Sequence, residues 1–225
     1  MRRSLGEAAW PELEGRQPLL ALPLGSCEQH GPHLPLDTDT RIAVAMATRL
    51  AGAVVDVLVA PPLAIGASWE HQEFPGLLSI TNELLADVLV EIARAAGWAS
   101  GIVLVNGHGG NRAGVDAAVR RITDEGRAVL SWWPHVDGGD AHAGRTETSI
   151  MLALDPDVVR LDRAVPGHLG SAGEAFRTGL RVSSPTGIIG DPTRASAEDG
   201  RTILDALTEH LVETVRRWRT ASEPA

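Results

Sequence analysis

Apolar positions along this chain follow two alternating spacings. Short runs at residues 19–24, 54–60, 101–105 and 128–132 are nearly all apolar and stop at Gly, Pro or similar breakers. They predict buried strands, because a strand covered on both faces shows no polar side. Between them, residues 41–51, 82–96 and 112–125 place apolar side chains three or four apart, as Val115, Val119 and Ile122 do, which predicts amphipathic helices. Strand and helix alternate, so the expected fold is α/β, a largely parallel central sheet flanked by helices. A final segment, residues 195–219, spaces Ile203, Leu207, Leu211, Val215 and Trp218 along one helix face, for the core or a subunit contact. Residues 179–193 are rich in Gly, Pro and Ser and predict an ordered loop, since a helix follows them.

Composition narrows the class without changing this picture. The 225 residues suit one domain spanning 1–225, large enough to bury a continuous core. No apolar run approaches the roughly 20 residues of a membrane span. The opening Met-Arg-Arg-Ser passes into Leu5-Gly6-Glu7 with no signal-peptide core, which predicts a cytoplasmic protein. The single cysteine, Cys27, fits a reducing compartment. A net charge of −9 argues against nucleic acid, whose binders need clustered cations. With no Tyr, 2 Phe and 6 Trp, the core must be aliphatic, with tryptophan as its large side chain.

Candidate chemistry gathers at three strand ends. After the first run comes Gly25-Ser-Cys-Glu28-Gln-His30-Gly-Pro-His-Leu-Pro-Leu-Asp37-Thr-Asp39. In extended chain Glu28 and His30 share a face, and the Pro-rich loop can carry Asp37 or Asp39 back to them. After the third run comes Asn106-Gly-His108-Gly-Gly-Asn111, at the carboxyl edge where open α/β sheets bind ligands. After the fourth comes Asp140-Ala-His142-Ala-Gly-Arg-Thr-Glu147, with an imidazole and a carboxylate. Mixed Glu, Asp and His donors suit Zn²⁺, Mn²⁺ or Fe²⁺. Converging carboxylates without cations would repel one another, so the crowding points to two divalent ions, which could activate a water and polarise an amide carbonyl.

These motifs resemble the creatininase family of metal-dependent amidohydrolases. The segments Gly66-Ala-Ser-Trp-Glu-His71-Gln-Glu-Phe-Pro-Gly76 and Gly190-Asp-Pro-Thr-Arg-Ala-Ser196 extend the likeness over about residues 5–200. The resemblance implies one metal on Glu28, Asp39 and His108, a second on His30, Asp39 and Glu147, with Asp39 bridging and His142 as general acid and base. It also implies a ring-like homo-oligomer. Where creatininase carries a catalytic glutamate after its metal-binding histidine, this chain has Gly109 and Gly110, which turns the expectation away from creatinine. The run from Asp140, with Glu125-Gly-Arg127 before it and Ser184-Pro-Thr-Gly-Ile-Ile-Gly-Asp-Pro192 after it, is most similar to the mycofactocin-system branch. Its members are peptidases that remove a modified C-terminal Val-Tyr dipeptide from a precursor peptide, a step in making a redox cofactor. The competing expectations are an amidohydrolase for a cyclic amide or formamide and a non-catalytic metal-binding scaffold. His135, His168 and His210 are expected to be structural. His33 and His71 could line the pocket or bond backbone carbonyls, Trp69 and Trp133 could face substrate or pack, and Cys27 is expected as a buried, inert thiol.

Overall fold

A computed structural model describes residues 3–222. Its sheet has four strands, β1 (Leu19–Leu24), β2 (Val57–Val59), β3 (Gly101–Asn106) and β4 (Val129–Trp132), in the order β2-β1-β3-β4. Every neighbouring pair is parallel, and Leu24 lies beside Asn106. The carboxyl ends of β1 and β3 therefore finish side by side, and the segments that follow them start as neighbours.

Alternation along the strands divides the core into two layers. Leu20, Leu22, Leu24, Ile102 and Leu104 pack against Leu85 and Leu89 of α2 (Asn82–Ala95) and Val115 and Ile122 of α3 (Arg112–Asp124). The intervening Leu19, Ala21, Val103 and Val105 meet α1 (Thr38–Ala53), α4 (Arg145–Leu154) and α7 (Ala197–Ser222) through Met46, Leu50, Ile150, Met151, Leu207 and Leu211. Because side chains alternate faces, a doubly covered strand must be apolar at every position. No helix among the described residues is long and apolar enough to cross a membrane.

The strand expected at 54–60 shrinks to its last half. Val54 is the C-cap of α1, its N–H bonded to Leu50 O, and Asp56 takes a positive φ of 58°, so the first residues end a helix and make a turn. At the other end of α1 the helix starts at Thr38, earlier than the apolar period shows. The last helix begins at Ala197, where Ser196 Oγ accepts from Asp199 N at 3.1 Å and satisfies one of the free N–H groups of its first turn. Within 179–193 the chain forms α6 (Leu180–Ser183), preceded by α5 (Ala172–Thr178). Both are too short for a helical period to register.

Candidate metal centre

The loop after β1 is closed by a backbone bond, Glu28 N to Leu36 O at 3.0 Å, which returns the chain to the sheet edge as α1 begins. This separates the two candidate aspartates. Asp39, in the first turn of α1, is buried and accepts from Ser26 Oγ at 2.7 Å. Asp37 turns outward to Arg41 Nε at 2.7 Å. A carboxylate in a first helical turn also faces the positive end of the helix dipole.

The loop after β3 must pass close to α1. A Cβ on Gly107 would lie 2.4 Å from Asp39 O, and one on Gly110 would lie 2.3 Å from Ala67 O and 2.4 Å from His108 Nε2. Asn111 fastens this crossing from within. Its Nδ2 donates to Gly25 O at 3.0 Å and Asn106 Oδ1 at 2.9 Å, and its Oδ1 accepts from Ala67 N at 2.8 Å.

The loop after β4 delivers His142 and Glu147 by a different device. Asp140 caps α4, accepting from Arg145 N at 2.5 Å and Thr146 N at 2.8 Å. Ala143 adopts φ 53°, a strained value for a residue with a Cβ. The turn aims Ala143 N at Glu147 Oε2, 2.5 Å away, while His142 is anchored by paired backbone bonds to Ile189.

Three imidazoles in this site each meet a backbone carbonyl, which can only accept, so the facing ring nitrogen carries the proton. His30 Nδ1 faces Glu28 O at 3.3 Å, His108 Nε2 faces Ala67 O at 3.1 Å, and His142 Nε2 faces Gln29 O at 2.8 Å. Their other nitrogens are left bare and point inward. His30 Nε2 lies 3.0 Å from Asp39 Oδ1 and 3.9 Å from Glu147 Oε2, and His108 Nδ1 lies 2.9 Å from Asp39 Oδ2. A lone pair facing a carboxylate at 3 Å requires a proton or a cation between them.

The buried Glu28 carboxylate makes the same demand. Its oxygens lie 3.3 Å from His71 Nε2 and His108 Nε2, yet neither accepts an aligned hydrogen bond among the described residues. Burial pushes its carboxyl up to about 8, against the opposing pull of His108. Burial likewise raises Glu147 to about 7, and His30 reaches about 10 because Asp39 outweighs the burial that would lower it. Burial would raise Asp39 too, but His30 and His108 hold it well below the usual carboxylate range. Burial, with the neighbouring His30 and His71, holds His142 well below the ordinary imidazole value. Such a cluster keeps protons where its chemistry would place divalent ions.

The donors group as Glu28–Asp39–His108 and His30–Asp39–Glu147, with Asp39 in both, and as Glu28–His30–His142. All six candidates chosen from sequence thus converge. The site also gathers residues with weaker sequence signals. His71 is buried beside Glu28, and Ser68 Oγ and Glu70 Oε1 lie 3.2 and 3.5 Å from His108 Nε2. All three sit on the 66–71 segment, which ends in one 3-10 turn, Trp69–His71, too short to show a period. His33 stands one step back, bonded through Nε2 to Thr148 Oγ1 at 2.8 Å. Cys27 departs from expectation. It is half-buried, its Sγ 3.6 Å from Gly76 O, because its short bridge to Leu78 lies at the surface. A cavity of about 320 Å³ opens on the site, lined by His108, Glu147, Arg112 and Trp133.

The family profile described as creatininase, creatinine amidohydrolase, matches residues 6–215. A mycofactocin precursor peptide peptidase of Mycobacterium ulcerans is 45% identical, over 95% of this chain and 91% of that protein. The creatinine amidohydrolase of Pseudomonas putida is 32% identical, over 94% of this chain and 95% of its own. Among solved structures, one designated "Creatininase Mn" superposes with a TM-score of 0.79 at 28% identity, covering 96% of this chain and 98% of its own.

Proposed function

This chain belongs to the creatininase family of hydrolases acting on C–N bonds, and we propose on that footing that it is the peptidase of mycofactocin biosynthesis. It would remove the modified C-terminal Val-Tyr dipeptide from the precursor peptide, the substrate class named for its 45%-identical relative. Glu28, Asp39 and His108 would hold one divalent ion and His30, Asp39 and Glu147 a second, as Zn²⁺, Fe²⁺ or Mn²⁺. The observation that carries this reading is the pair of contacts at Asp39, whose two oxygens meet the bare nitrogens of different histidines, His30 at 3.0 Å and His108 at 2.9 Å. When bound, the two ions would activate a water and polarise the scissile carbonyl.

The chain's own residues supply the proton transfers. His142 holds its Nε2 proton on Gln29 O, so its Nδ1 is free to accept. It takes a proton from the attacking water as the water oxygen bonds to the carbonyl carbon, then gives that proton to the nitrogen as the C–N bond breaks. Base precedes acid because the resting ring is neutral on that side. Ala143 N positions Glu147, and Ser26 positions Asp39. Nothing lies within 4 Å of a Cβ at Gly109, which lines the cavity, and this leaves room there for peptide. The ring-like homo-oligomer belongs to the same proposal, and light scattering on the purified protein tests it.

Purified protein supplied with divalent metal should cleave the precursor peptide, and chelation or His108→Ala should abolish cleavage. Full cleavage by stripped protein overturns the mechanism. Turnover of a cyclic amide or formamide with none of the peptide overturns the substrate.

A further inference from the structure

Gln29 stands between Glu28 and His30 in sequence, and it is 6% exposed. Its amide is fully engaged. Gly31 N donates to Oε1 at 2.9 Å, which fixes the orientation of the amide and turns Nε2 toward three partners, Gly187 O at 3.0 Å, His71 Nδ1 at 2.9 Å and His142 Nε2 at 3.0 Å. An amide nitrogen has two hydrogens. His142 Nε2 already donates to Gln29 O at 2.8 Å and has no lone pair to offer. The two hydrogens therefore go to Gly187 O and His71 Nδ1.

The consequence falls on His71. With Nδ1 accepting, its proton must sit on Nε2, which faces Glu28 Oε1 at 3.3 Å. His142 presents the reverse to the same oxygen, its bare Nδ1 lying 3.7 Å away. The two rings lie 4.5 Å apart, and one residue sets both: the Gln29 side-chain amide leaves His71 a proton to show Glu28, while the Gln29 backbone carbonyl leaves His142 a lone pair for the reaction. The pocket for that amide is built for it. Gly187 has φ +77°, and a Cβ there would lie 2.1 Å from Gln29 Oε1.

We propose that Gln29 is a positioning residue of the hydrolytic site, whose amide holds His71 in the tautomer that turns an N–H toward Glu28 while His142 Nδ1 stays free as proton acceptor. The proposal rests on the peptidase reading only for its choice of substrate. A buried partner of this kind, which orients a group at a metal site, typically contributes 10–100-fold in metal affinity or activity. Gln29→Glu keeps the shape but accepts instead of donating, so it draws the His71 proton to Nδ1 and turns a lone pair toward Glu28.

The test uses metal-loaded protein with ¹⁵N-labelled histidine, read by NMR, together with kinetics on the precursor peptide. Wild type should show His71 protonated at Nε2, with Nδ1 accepting. Gln29→Glu should move that proton and lower kcat roughly 10–100-fold, with KM little changed. Gly187→Ala, which displaces the amide, should change kcat in the same direction. The wild-type tautomer is read without any variant, so a Gln29→Glu chain that fails to fold leaves the test standing. A His71 proton on Nδ1 in wild type overturns the inference, as does a Gln29→Glu enzyme with wild-type kcat. If wild type shows the expected tautomer but never cleaves the peptide, the substrate reading falls and the positioning role stands.

Discussion

Replacing Asp39 with asparagine separates a shared site from two independent ones. Asp39 is buried, and each of its oxygens faces a different histidine, His30 Nε2 at 3.0 Å and His108 Nδ1 at 2.9 Å. Two of the three donor sets contain it, beside Glu28 in one and Glu147 in the other. The amide removes the charge and offers N–H to one of the two bare ring nitrogens, so both sets fall to one carboxylate and one imidazole. Loss of an outer-shell partner alone costs 10–100-fold in metal affinity. Taking 100-fold as a floor for each ion gives about 2.7 kcal/mol apiece. Glu28→Gln and Glu147→Gln each touch one set and spare the other. Metal counting by mass spectrometry after dialysis against micromolar ion should therefore give two ions for wild type, one for each glutamate variant and none for Asp39→Asn. Two ions on Asp39→Asn, or none on Glu147→Gln, would refute the shared carboxylate, and no activity assay enters the result.

Further outcomes follow from the same geometry. Metal-free protein should lose stability as pH rises above about 6.5. Glu28 moves from 4.5 to about 8 and Glu147 from 4.5 to about 7, so the folded state binds the extra protons, and the His30 contribution, complete below 6.5, is lost as pH climbs through about 10. Asp39, held below 3.8, and His33, His71 and His142, held below 6.5, oppose this only at more acid pH. Urea midpoints with chelator should fall between pH 7 and 9, and a midpoint rising over that range would contradict the assignment. His142→Ala should keep both ions and lose roughly 10²–10⁴-fold in kcat, so loss of metal in that variant would make it a ligand instead. Gly110→Ala should lower both melting temperature and metal affinity, because its Cβ would meet Ala67 O at 2.3 Å. Gly109→Ala, with open space around it, should fold normally. Asn111→Ala strands Gly25 O, Asn106 Oδ1 and Ala67 N, and at roughly 1–3 kcal/mol per orphaned group should cost at least about 3 kcal/mol in denaturant titration.

The apolar pattern by itself determined the layered α/β fold. Leu19–Leu24 and Gly101–Asn106 are buried along their whole length, as a strand covered on both faces requires. It also determined where the chemistry sits, since Glu28, His108 and His142 follow strand ends and parallel strands open their ligand edge there. Local spacing carries that information because it depends on neighbours in sequence. Tertiary structure decided the rest. Asp37 and Asp39 are equivalent in sequence, and only the packing of the α1 turn against Gly107 sends one to Arg41 and the other between two histidines. His71 and Gln29 were indistinct for the same reason. Their roles come from hydrogen bonds to residues 42 and 158 positions from Gln29, and no local period can encode a contact whose partner is chosen by the fold.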